Sequence, residues 1–517
     1  MSMEELHRAA VTPGADTSPA CQPKAAAPAP RVYETDGKER VLLLLALLLS
    51  LLLVEMIISV FNWGPGLVVP ALVAAWYAVL LWYRGAEGLL NRENLLLFCA
   101  VCLLALTFAL FSNDWFRGVN LLALPVLLMV QTHQWSGAAR RPWYLPTMLW
   151  ERFLLTVDGL FCRLGASWKA ASTVKGEGKK RGIYLLLGLG AAALLLLVTV
   201  PMLLSADALF AHLAGGAVDF FSQHMGAWVG RLLAALCLAP FLFGLLYSVR
   251  RPEPLTEKKE QGKLLAFDAI APATVLVVMD ALYLFFIAVQ FAALFGGERY
   301  LAVTGISHAE YARSGFFQLV GVAGLNLTLV MACLQICRRE GKGFTAVRAL
   351  STVLVASSFV MLGSAACRMT LYVTEYGLSF KRALTYWGML MLAVFFTAAL
   401  LKIWKKSFSF FKVLFAAGLA GWLALNFINV DRIVTRYNVS LYQQNQDAVM
   451  DLPYLAFQSY DTLDILEELP GDMRVYHYWE GTLEELIAQR RDRAAADAAD
   501  WRSWSVSAQL AAIGGRR

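Results

Sequence analysis

The chain has 517 residues, 58% of them hydrophobic and only 16% charged, against about 25% in soluble domains, and its mean hydropathy is +0.56. That balance excludes a large soluble core as the main architecture. The net charge of +7 does not signal a nucleic-acid partner, because Lys and Arg lie in short clusters between apolar runs, as in the cytoplasmic loops of membrane proteins.

Residues 1–40, with "PACQPKAAAPAPR", offer too few large apolar side chains to offset the entropy of ordering and predict a disordered cytoplasmic tail. "VLLLLALLLSLLLVEMIISV" then begins at Val41, too late and too long for a signal peptide, and reads as an uncleaved first helix. Further runs near the ~20 residues a span needs fall at 64–83, 94–112, 115–131, 182–204, 225–248, 268–295, 315–336, 347–368, 383–403 and 411–429. The expectation is an all-α polytopic transmembrane helix bundle of about 11 spans with a small helical C-terminal domain. It divides into a first transmembrane group (41–131), a cytoplasmic segment (132–181), a second transmembrane group (182–429) and a C-terminal domain (430–517).

Alternate connections carry the positive charge, among them Arg84 and Arg92, Arg140 to Arg181, Arg250 to Lys263, Arg338 to Lys342, and Lys402 to Lys406, whereas 205–224 has no Lys or Arg. The N-terminus is therefore expected in the cytoplasm and, for an odd span count, the C-terminal domain outside the cell. Within 142–168, Leu145, Leu149, Phe153, Val157, Leu160, Leu164 and Trp168 recur at helical spacing, with Arg152, Arg163 and Ser167 elsewhere on the wheel. An interfacial amphipathic helix on the inner membrane surface is expected, with a helix packed on a cytoplasmic partner as the alternative. In the C-terminal domain, "SYDTLDILEELPG" predicts a short helix from near Asp461. Thr482 and Glu485 stand at capping-box spacing, and Trp501 and Trp504 are expected on one face.

Charge inside a span costs about 2.5–3.5 kcal/mol on insertion scales, so ionisable residues there are the first functional candidates. Asp280, near the middle of its span, and Glu55 with Arg231, at matching depth, form a candidate polar path; structural roles for each are the alternative. If the helix continues past Arg368, then Arg368, Tyr372 and Glu375 share one face and Gly377 is suited to end it. With His308, Glu310, Tyr311 and Arg313 before one span and Asp431 after another, these residues make a candidate outer-interface cluster able to bind a charged headgroup or to satisfy one another. No metal-ligand spacing, cofactor motif or catalytic signature such as G-x-x-x-x-G-K-[ST], H-E-x-x-H or G-x-S-x-G is present, so no metal, cofactor or enzyme activity is implied. Cys99-Ala-Val-Cys102 sits inside a span and reads as apolar packing.

The stretches "ISHAEYARSGFF", "CRMTLYVTEYGLSFKR", "NVDRIVTRYNVSLY", "DLPYLAFQSYDTLDILEEL" and "DWRSWSVSAQLA", and more faintly "LLSADALF", cover roughly 200–517. On them the chain resembles a family of bacterial multi-pass membrane proteins catalogued as a domain of unknown function (the 4173 group, related to 4153). The resemblance implies that Arg368, Tyr372, Gly377, Glu310, Tyr311, Arg313 and Asp431 form a shared structural or binding feature, and it implies no activity. A permease-like or accessory envelope protein of the bacterial cell membrane is the expectation. The alternatives are an outer-face lipid- or envelope-handling enzyme and a membrane signalling or scaffold protein. The lipid bilayer, and membrane or envelope proteins, are the partners to expect.

Overall fold

A segment with no water around it satisfies its backbone only from within, which is why the apolar runs become helices. In a computed structural model of the chain, the described residues are 33, 36–62, 64–172, 195, 199, 202, 208–252, 268–295, 316–337, 341–445, 450–475 and 481–514. Helices α1 (Gly37–Asn62), α2 (Val68–Arg84), α3 (Arg92–Leu110) and α4 (Asp114–Ser136) follow one another through short turns. After α5 (Met148–Val157), a π turn (Asp158–Cys162) and α6 (Leu164–Ser172) come α7 (Ala208–Arg250), α8 (Ile270–Phe295), α9 (Phe316–Ile336), α10 (Gly341–Tyr376), α11 (Phe380–Trp404) and α12 (Phe410–Phe427).

Among the described residues, eight helices are long and apolar enough to cross a membrane, and Val68–Arg84 and Gly321–Ile336 are shorter apolar ones. Ten of the eleven expected spans thus coincide with a helix, while 182–204 lies almost wholly outside the described residues. The span expected at 115–131 is longer than its hydropathy suggests: Asn113 caps α4 by accepting from the Phe116 amide, and the helix runs through Pro125 to Ser136. The chain is an integral membrane protein with an all-α polytopic bundle. Its outward surface agrees, because Leu44, Leu96, Leu122, Phe285 and Leu390 all stand exposed, as lipid-facing side chains must.

Two groups of helices make the bundle. In one, α1 packs along α7 and α2; in the other, α10 packs on α8, α9 and α11, and α12 bridges them through α11 and α3. At 43 and 36 residues, α7 and α10 are about 65 and 54 Å long, well beyond a ~30 Å hydrocarbon core. The 205–224 stretch, expected as a connection, is therefore helical from Ala208 onward.

One end of the bundle gathers the cations. Glu39, fully buried, accepts from the Tyr83 hydroxyl at 2.9 Å and from Arg250 at 3.2 Å. Lys412 meets Glu93 at 2.7 Å, and Arg348 donates to the Ile403 carbonyl. Here too lies the 142–168 segment, its polar residues turned into the bundle. Arg152 is 0% exposed and donates to the Val130 and Arg141 carbonyls and to Gln134, while Arg163 and Ser167 are also buried. Leu149, Trp150, Phe153, Phe161 and Trp168 face outward instead.

The opposite end carries the C-terminal segment: α13 (Val430–Gln444), α14 (Leu452–Ala456), a 3-10 turn (Tyr460–Thr462), α15 (Leu463–Leu466), β1 (Arg474–Val475), β2 (Gly481–Thr482), α16 (Leu483–Ala499) and α17 (Val506–Gly514). The capping box forms, with the Thr482 hydroxyl accepting from the Glu485 amide and the Glu485 carboxylate from that of Thr482. Three features differ from the sequence reading. A two-stranded antiparallel ribbon pairs Arg474 with Thr482, the helix expected near Asp461 is split into a 3-10 turn and a single α turn, and Trp501 and Trp504 belong to a turn and not to one helix face. Leu463, Ile465, Leu466, Leu483 and Leu486 form its core, which runs without a break onto Phe116 and Leu425 of the bundle.

Residues 35–517 form one compact unit, and of residues 1–34 Tyr33 alone is among the described residues.

Candidate functional site

Leu276, Asp280 and Tyr283 recur at i, i+4 and i+7 on the buried face of α8, and α10 is the helix packed most extensively against it. The two helices start in register, since a Cβ on Gly343 would come within 2.6 Å of the Ala269 Cβ. At 1.5 Å per residue Asp280 then lies about 16 Å from Ala269, level with Leu354 and within a turn of Ser351 and Ser358 on α10. Next to Tyr283, Asn326 of α9 donates its amide to the Ser358 hydroxyl at 2.9 Å.

Asp280 is 4% exposed, and Ser351 and Asn326 are buried more completely still. Among the described residues, neither carboxylate oxygen of Asp280, nor the Ser351 hydroxyl, nor the Asn326 carbonyl oxygen has a hydrogen-bond partner. Four unpaired oxygens on three adjoining helices, α8, α9 and α10, are costly, at about 1–3 kcal/mol each. A proton on Asp280, or a hard cation among the oxygens, relieves that cost, because oxygen-rich sites suit such ions.

Glu55 and Arg231 lie elsewhere. Arg231 of α7 reaches Glu55 of α1 at 3.4 Å, and Arg502 from the turn before α17 reaches the other Glu55 oxygen at 3.2 Å. Asp500 closes the network on Arg502 at 2.7 Å. The Arg502 guanidinium holds the Asp500 carboxyl below the usual carboxylate range. Asp280 belongs to the α8–α10 group and Glu55 with Arg231 to the α1–α7 group, so the structure does not join the three in one cluster. Arg502 is 447 residues from Glu55, with no sequence signal to pair them.

Of the outer-interface candidates, His308, Glu310, Tyr311 and Arg313 lie outside the described residues. The helix does continue past Arg368, ending at Tyr376 with Gly377 at φ +72°. Tyr372 stacks against Tyr376 and carries the Arg382 guanidinium 4.2 Å above its ring, while Arg368 is half-buried and Glu375 exposed on the same face. Arg382 also caps α10 by donating to the Tyr376 and Gly377 carbonyls. Asp431 is separate from this ridge. Buried at the start of α13, it accepts from Asn113 at 2.7 Å and from the Ser459 amide, and desolvation raises its carboxyl above the usual range. The same cause raises Asp461 and Asp497, the latter accepting from the Tyr460 hydroxyl at 2.7 Å. Asp431 and Asp461 tie the C-terminal segment to the α3–α4 turn, where Ser112 meets Ser507 at 2.9 Å.

A second feature is a cavity of about 290 Å³ between α1, α2, α4, α5 and α7, lined by apolar side chains such as Leu53, Leu72, Leu124 and Leu128. Thr132, His133 and Thr156 also line it, with His133 and Thr156 2.9 Å apart and Trp76 donating to Thr132. Among the described residues no three His, Cys, Asp or Glu side chains are grouped to hold a metal ion.

The profile of a family described as "Domain of unknown function (DUF4153)" matches residues 98–469, a span that takes in Asp280, Asn326, Ser351 and Asp431. No curated protein and no solved structure matches the chain.

Proposed function

The chain belongs to the DUF4153 family, a group defined by sequence and not by activity, and we propose from the chemistry of its interior that it is a permease-like membrane protein. Asp280 is taken as its ionisable centre, binding a proton or a monovalent cation in the middle of the bilayer. The observation that carries this reading is the set of four unpaired oxygens from Asp280, Asn326 and Ser351. A structural carboxylate would be expected to hold a donor; here the unmet acceptors match what a mobile cation needs. The Glu55–Arg231–Arg502–Asp500 network is then a lock between the bundle and the C-terminal segment, because two anions and two cations neutralise one another with nothing left over for a substrate. In this reading the protein sits in the bacterial cell membrane, the cationic end faces the cytoplasm, and the C-terminal segment faces the envelope with the Tyr372–Arg382 ridge.

The test is a comparison of lipid and metabolite profiles in a deletion strain carrying wild type, Asp280→Asn or an empty vector. Asp280→Asn is expected to reproduce the empty-vector profile at wild-type protein abundance. A wild-type profile from that variant overturns the proposal.

A further inference from the structure

The apolar cavity in the α1–α7 group is far from Asp280 and plays no part in the proposed ion chemistry. Along α4 its lining runs from Leu121 to His133, about 18 Å at 1.5 Å per residue, more than half of a ~30 Å hydrocarbon core. It is therefore elongated along α4. Its wall includes Pro125, which cannot donate to the helix ladder. Apolar walls favour an apolar guest over water in such a space. Nearly all of the lining belongs to helices that run through the bilayer, so the guest in direct supply is hydrocarbon.

Polarity is confined to one end. Thr132, His133 and Thr156 converge there, near the cationic end of the bundle, with the Arg152 carbonyl accepting from the Thr156 hydroxyl. From Leu121 to Met129, by contrast, every α4 residue that lines the cavity is apolar. A long apolar tube with hydroxyl and imidazole groups at one mouth matches a single-chain segment with a polar attachment point. We propose that the cavity holds one acyl chain of a membrane phospholipid, with the ester end at Thr132, His133 and Thr156 and the methyl end toward Leu121.

Reconstitution of the full-length protein in phosphatidylethanolamine–phosphatidylglycerol vesicles containing a phospholipid with a diazirine at the chain terminus tests the proposal. Photolysis is expected to label Leu121 and Leu124, facing the cavity, as well as Leu122 on the exposed side of α4. Leu128→Trp fills the tube and is expected to lower the cavity labelling about tenfold, equivalent to ~1.4 kcal/mol of affinity, while leaving Leu122 labelling unchanged. Labelling of Leu122 alone in the wild-type protein overturns the proposal without any variant. Cavity labelling that is undiminished in a Leu128→Trp protein with normal Leu122 labelling overturns it as well.

Discussion

Gly66 shows how one residue position decides whether the two ends of the chain can meet. Its amide donates to the Arg502 carbonyl at 2.8 Å, and the Leu67 amide donates to that of Trp504 at 2.9 Å. A Cβ at Gly66 would sit 2.4 Å from the Ser503 backbone, where nothing can yield but the chain itself. Gly66→Ala is thus expected to push the 501–505 turn away, losing two backbone hydrogen bonds and loosening the Arg502–Glu55 pair. Together that costs about 2–3 kcal/mol, seen as faster proteolysis after Ala499 and a lower Tm. Gly118→Ala, with open space around its Cβ and a helical backbone, is the matched control and should be neutral or stabilising. The sequence carries half of this story. Glu55 and Arg231 can be matched by depth because both lie on long regular helices, whereas Arg502 sits in a turn whose place depends on the packing of everything before it.

At the level of elements, amphipathicity alone is ambiguous about direction. Hydrophobic periodicity marks 142–168 as two-faced, and that much is legible from residue spacing. Which face meets the protein is not, because in a membrane the surroundings of a helix are as apolar as a protein core. The bundle end offers the Val130 and Arg141 carbonyls, and Arg152 turns inward to meet them, leaving Trp150, Phe153 and Trp168 to the lipid boundary. The same limit explains the C-terminal segment. The Thr482 capping box is local and legible, but the ribbon of two-residue strands has no periodicity long enough to read. Arg152→Ala strips the donors from two carbonyls and Gln134 and is expected to free α5 at a cost of about 3 kcal/mol. Hydrogen exchange confined to 142–172 would register it; unchanged protection there would mean that the exposed aromatic face alone holds the segment.

For the whole molecule, the proposed sidedness rests on one geometric observation. Successive described helices return Arg84, Arg152, Arg250, Arg348 and Lys412 to the same end, and the C-terminal segment closes the other. Span hydropathy made the bundle legible, and charge alternation suggested its orientation. The join between the two helix groups was not legible, since beyond the Lys412–Glu93 pair α12 touches α3 and α11 largely through apolar side chains that differ little from lipid-facing ones. In the proposed orientation the cationic end faces the cytoplasm, because translocating each Lys or Arg is opposed during insertion. In a protein with its native cysteines replaced, Asp472→Cys, at the tip of the C-terminal segment, is expected to react with a membrane-impermeant maleimide in intact spheroplasts. Ser407→Cys, in the exposed turn after α11, should react only after permeabilisation. The two sites are separated by the full bundle, so reaction of both from the same side would require the C-terminal segment to leave its seat on Ser112 and Phe116. Reaction in the reversed order would preserve the fold and overturn the orientation, moving the Tyr372–Arg382 ridge to the cytoplasm.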